Sequence, residues 1–69
     1  MNVEHIKQRI TNGFKPFTVC LSDGRKIPVP HPESLAVGHR VVVIIGEDDR
    51  VNTVDPVQIV SFEETIPST

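Results

Sequence analysis

The chain has no tryptophan, no tyrosine and only three phenylalanines among its 69 residues. A core built on many aromatic rings is excluded, so Val, Ile and Leu must fill it. There is a single cysteine, Cys20, which excludes an intramolecular disulfide. No Cys-x-x-Cys pair and no Cys/His cluster offers a structural zinc site. Basic residues are few, with Lys and Arg totalling 7 against 9 Asp and Glu, for a net charge of −2. No long basic block is present, although neutralising phosphates is the main source of affinity for nucleic acid. Long apolar runs are missing as well. No segment approaches the ~20 apolar residues of a membrane span, and the N-terminus has no apolar run of the signal-peptide type. With a lone cysteine, this leads to the expectation of a cytoplasmic protein with no membrane partner.

At 69 residues the chain is read as one domain, residues 1–69. A domain of this size buries only about 60% of its unfolded surface and is marginal alone. Small scaffolds are usually supplemented by disulfides, metal or oligomerisation. The first two lack their residues here, so elimination points to a homo-oligomer. No cofactor is expected.

The pattern along the chain is mainly β. Residues 3–12, "VEHIKQRITN", place Val3, Ile6 and Ile10 on one narrow helical stripe, with Asn2 as a cap and Asn12-Gly13 as a left-handed stop. So short a helix forms only by docking that stripe on something apolar. Five strands are expected over 17–21, 26–30, 40–45, 51–54 and 59–63, with a short strand-like stretch at 35–37 before the Gly38-His39 turn. The run "RVVVII" (40–45) is continuous and β-branched, which suits a strand buried on both faces. Asp55-Pro56 is a tight bend, since Pro fixes φ and Asp bonds the backbone two residues on. The order of elements suggests a short N-terminal helix, about 3–12, followed by a five-stranded, strongly bent SH3-like or Sm-like small barrel over about 14–63. A frayed tail, 64–69, completes it.

The stretch "LSDGRKIPVPHP" (21–32) tests this reading. Asp-Gly usually marks a two-residue type I′ turn. Here that turn would pair Cys20 with Ile27 and set the apolar faces of the two strands in opposition. A three-residue loop, Ser22-Asp23-Gly24, pairs Val19 with Ile27 and Phe17 with Val29 instead. A one-residue slip flips every side chain, so the apolar pattern selects the longer loop with Gly24 left-handed. Pro28 then falls opposite Thr18, and Pro30 opposite Pro16, at sites where the missing N–H costs the hairpin nothing. Their absent donors face outward and blunt that edge.

No catalytic constellation emerges, and an enzyme is not expected. His5, His31 and His39 are scattered without ligand spacing and read as solvated residues. Cys20 alternates with Thr18 and has no base beside it in sequence, so it reads as a structural, semi-buried thiol. Glu47, Asp48 and Asp49 match no calcium loop and read as a solvated turn. Arg25, His31, Glu33, Arg40 and Arg50 form a possible binding surface, while Asp23, Gly24, Asp55 and Pro56 are read as structural turn residues. Nucleic acid is a possible partner but is not favoured, because stacking platforms are scarce once Phe14, Phe17 and Phe62 belong to the core.

Pro16-Phe17, Asp23-Gly24-Arg25, His31-Pro32-Glu33, Asp55 and Ile59 together make a pattern "PF…LSDGR…HPE…D…I". It resembles a family of short, uncharacterised bacterial proteins over roughly residues 14–63. At the level of fold the chain looks like Sm-like proteins, with an N-terminal helix and five bent strands. That resemblance implies rings formed by pairing of the fourth and fifth strands, and often RNA binding. The Asp-x-Met-Asn loop of that class is missing here. The expectation is therefore a non-enzymatic small β-barrel acting by protein–protein interaction, as a homo-oligomer. The alternative is an Sm-like ring that binds RNA or single-stranded nucleic acid.

Overall fold

A computed structural model describes residues 1–11, 13–46 and 48–64. The helix α1 spans Val3–Thr11. The Asn2 side chain accepts the Glu4 N–H at 2.7 Å, and its carbonyl accepts from His5 and Ile6. Gly13 has φ 59, the left-handed geometry that Gly adopts without steric cost. Asn12, expected as the other half of that stop, lies outside the described residues. Of the stripe, Ile6 is fully buried, while Val3 and Ile10 are half-buried at its flanks.

Six strands follow: β1 (Phe17–Leu21), β2 (Lys26–Val29), β3 (Leu35–Val37), β4 (Val42–Ile45), β5 (Val51–Val54) and β6 (Ile59–Glu64). They form two antiparallel three-stranded sheets, ordered β2-β1-β6 and β3-β4-β5. The chain is thus mainly β with a short N-terminal helix, as the sequence pattern implies. The two sheets are not closed on each other, and six strands stand where a five-stranded barrel is expected from the sequence. The extra division lies at "PHPES". Proline at 30 and 32 removes ladder donors, and Pro32–Ser34 coils into a 3-10 turn that separates β2 from β3. Glu64, assigned to a frayed tail, is instead the last residue of β6; residues 65–69 lie outside the described ones.

The first hairpin has the register selected by its apolar faces. Phe17 faces Val29, Thr18 faces Pro28 and Val19 faces Ile27. The Leu21 N–H donates to the Arg25 carbonyl at 2.9 Å, the Gly24 N–H donates to the Leu21 carbonyl at 3.0 Å, and Gly24 has φ 92. Between the two sheets and α1 lies one core, made of Ile6, Phe17, Val19, Leu21, Ile27, Val29, Leu35, Val42, Ile44, Val54 and Ile59. Phe17 is its largest fully buried side chain.

The β4 run corrects a second expectation. Val42 and Ile44 are fully buried, but Val41 and Ile45 point to the other face and stay about 38% and 40% exposed. The strand is covered on one side only. A β-branched run reports strand propensity and apolarity, not how many layers exist to cover it.

Replacing Phe17 by Ala should remove about 3–5 kcal/mol, a large part of the stability of so small a domain. Urea denaturation followed by far-UV circular dichroism measures this; a loss under 1 kcal/mol would contradict the central place given to Phe17.

Candidate functional site

Two hairpin tips share one geometry. In the first, the Asp23 carboxylate accepts the Arg25 backbone N–H at 3.0 Å and the Arg25 Nε at 2.8 Å. In the second, the Asp48 carboxylate accepts the Arg50 N–H at 3.1 Å and pairs with the Arg50 Nε at 3.4 Å. The Gly46 N–H donates to the Arg50 carbonyl, and the Asp49 N–H to the Gly46 carbonyl, as Leu21, Arg25 and Gly24 do in the first tip. Asp49, with φ 62, holds the position that Gly24 holds there. Asp tolerates the left-handed region because its short polar side chain can bond locally. "SDGR" and the acidic turn before β5 are therefore the same Asp-x-Arg clasp. Comparing the two tetrapeptides end to end would have found it. Glu47, read with this turn, lies outside the described residues.

This geometry commits Arg25 and Arg50 to their own hairpins. His31 is exposed ahead of the 3-10 turn and shares with Pro30, Ser34, Ile45, Gly46 and Asp49 the lining of an open groove of about 370 Å3. Glu33 is exposed within that 3-10 turn, and Arg40 is exposed between β3 and β4. The structure thus brings His31 to the tip that carries Arg50, whereas Arg25 belongs to the other tip. A second open groove, about 360 Å3, has Val3 and Lys7 of α1 on one side and Val37 and His39 on the other. His5 is exposed on α1. Among the described residues no group of three or more His, Cys, Asp or Glu side chains gathers as a metal set.

The bend at Asp55-Pro56 opens a 3-10 turn, Pro56–Gln58. The Asp55 carboxylate accepts the Val57 N–H at 2.9 Å, and Gln58 reaches back to accept the Asp55 N–H at 3.4 Å. This reciprocal capping box is legible as an Asp followed three residues later by Gln; the bend expected from the sequence covers only its Asp half. Pro56 is buried.

Long-range ion pairs supply what the sequence could not. Lys26 pairs with Glu63 at 3.0 Å across the outer face of the first sheet. Cys20, on that same face, is only 7% exposed. Arg9 of α1 pairs with Glu64, and its guanidinium carbon lies 4.9 Å from the centre of the Phe17 ring. The hydrogen bond from the Lys26 ammonium to the Glu63 carboxylate holds the Glu63 carboxyl below its ordinary 4.5 and the ammonium above its ordinary 10.5. The Arg25 backbone N–H, aided by its side chain, lowers Asp23 below 3.8.

The apolar surface lies elsewhere. On the outer face of the second sheet Ile45 faces Val51 across β4 and β5, and Val43 faces Thr53. Val51 is 62% exposed, and Val41 and Ile45 continue the row along β4. No described residue covers it. Val57 and Val60 are exposed as well, Val60 at the register shift where β6 bulges against β1.

No family model, curated protein or solved structure matches this chain, so its function is argued from these features alone.

Two measurements test the hairpin tips. Gly24→Ala should destabilise by about 1 kcal/mol, since a Cβ is disfavoured at positive φ, while Asp49→Gly should stabilise by about 0.5 kcal/mol. A stabilising Gly24→Ala or a destabilising Asp49→Gly would overturn the shared geometry. The pH dependence follows from the shifts. Asp23 and Glu63 are depressed on folding, so their contribution is present above the ordinary carboxylate range and is lost as pH falls through the lowered values. Lys26 is raised, so its contribution is present below 10.5 and lost as pH rises beyond that. Carboxyl NMR titration of Lys26→Met should return Glu63 upward toward 4.5 and leave Asp23 unchanged.

Proposed function

We propose that this chain is a non-enzymatic small β module that works by protein–protein contact and assembles with further copies of itself. The observation that carries the reading is the uncovered row Val41, Ile45 and Val51 on the second sheet. A chain with so few large side chains gains most from covering such a row with another chain, because burial of apolar area contributes about 25 cal/mol per Å2. Small scaffolds lacking disulfides and metals are commonly completed in this way.

The order of elements supports a small-barrel reading of the fold. If β2 and β3 are counted as one strand bent at Pro30–Ser34, five strands follow a short helix, and a 3-10 turn precedes the last, in the order of SH3-like and Sm-like modules. Membership of the "PF…LSDGR…HPE" family is proposed on the residue pattern alone. Within this reading the protein works in the cytoplasm.

The second reading, a ring that binds RNA or single-stranded nucleic acid, has less support. Arg9, Lys26, Arg25 and Arg50 each face a carboxylate rather than gathering into one basic surface. Arg40, exposed at the β3–β4 turn, is the cation best placed to contribute.

Multi-angle light scattering at micromolar concentration should give a mass above that of one chain. A strict monomer would remove the self-assembly reading. Mobility shift with a labelled single strand at low salt should give no complex; a salt-dependent shift would favour the ring instead.

A further inference from the structure

Each sheet has two outer strands, and three of the four are guarded. β2 carries Pro28 with its missing donor turned outward, and Pro30 follows at the next outward position. β3 has three residues, sits beside the 3-10 turn and has α1 packed against it. β6 bulges at Val60 and ends in Glu63 and Glu64, the latter held by Arg9. Prolines, short length, bulges, charges and covering helices are the devices that stop an edge from pairing. β5, Val51-Asn52-Thr53-Val54, has none of them: no proline, no charge, an unbroken register with β4 and two valines.

We propose that β5 pairs antiparallel with β5 of a second copy about a two-fold axis, joining the two second sheets into one. This rests on the self-assembly reading above and specifies its interface. The hydrogen-bond phase supports it. The Arg50 carbonyl bonds Gly46, so Arg50, Asn52 and Val54 direct their backbone groups to β4, while Val51 and Thr53 direct theirs outward. A two-fold axis normal to a sheet keeps each face with itself, so it can join only residues of the same face. Centred on Asn52, it sets Val51 of one copy opposite Thr53 of the other, which satisfies every outward N–H and C=O of both strands. The row Ile45–Val51 then continues across the seam into the partner's Thr53 and the partner's Val43, β-branched throughout.

Light scattering over a concentration series should show a dimer for the unmodified chain. Thr53→Pro removes an outward donor without touching the β4 ladder and should raise the dimer dissociation constant at least ten-fold. Val51→Lys, at an exposed position, should do likewise and guards against misfolding of the proline variant; circular dichroism checks both. Asn52→Cys places two thiols across the axis and should give a covalent dimer on mild oxidation, whereas the unmodified chain, with buried Cys20, should not. A monomeric unmodified chain overturns both this interface and the self-assembly reading. An oligomer that survives both edge variants, with Asn52→Cys uncrosslinked, leaves self-assembly standing and overturns this interface. An assembly larger than a dimer that is lost in Thr53→Pro, but without the crosslink, shows β5 pairing with another strand and overturns the two-fold.

Discussion

Phe17 sits where helix and first sheet meet. It is fully buried, and the other two aromatic rings of the chain both lean on it: Phe14 at 6.0 Å in an edge-on arrangement and Phe62 at 4.8 Å, tilted. Arg9 lies over the same ring and ties α1 to the end of β6. Edge-on and tilted ring pairs add about 0.5–1.5 kcal/mol beyond area burial, and a partly desolvated cation over a ring adds a similar amount. A helix of nine residues does not hold itself in water, so α1 depends on this cluster and on Ile6 for its existence.

That concentration has a consequence on the other side of the molecule. All the aromatic volume gathers around β1, and the second sheet is covered by aliphatic side chains on its inner face alone. Val42, Ile44 and Val54 close the core from that side. Nothing of comparable size remains to cover Val41, Ile45 and Val51. The uncovered row is therefore set by the composition of the chain as much as by its topology, and a third layer would require residues that the described chain does not supply. This is the physical link between a core poor in aromatics and a surface suited to association.

How much of this was legible depended on whether local pattern or distant contact decided each feature. The first hairpin was legible because Phe17, Val19, Ile27 and Val29 share a face in one register only. The α1 stripe and the Asp55 turn were legible for the same reason: each is fixed within a few residues. The division into six strands was not, because the break between β2 and β3 turns on whether Pro30 and Pro32 merely bend a strand or end it. The exposure of Ile45 was not, because a continuous apolar run is silent about what lies above it. Of the candidate surface residues, Arg25 and Arg50 belong to clasps that a comparison of "SDGR" with the later tip reveals. The Lys26–Glu63 and Arg9–Glu64 pairs span β1 or join helix to sheet, and nothing near them in sequence announces them.

The same chemistry that explains the guarded edges gives the unguarded one its meaning. Pro28 costs the first hairpin nothing because its ring sits where no donor is needed, so its effect is felt only by a strand approaching from outside. A chain that places proline, charge, a bulge or a helix at three edges, and polar-neutral β-branched residues at the fourth, treats those edges differently. Exposed β-branched strands of this kind are an aggregation hazard unless they have a defined partner. Closed two-fold pairing ends after one partner, because each copy then has no unguarded edge left. The clasp at Asp48 and Arg50 bears on the same point: it fixes the tip of the β4–β5 hairpin, and so holds the outward groups of Val51 and Thr53 in line for a partner strand.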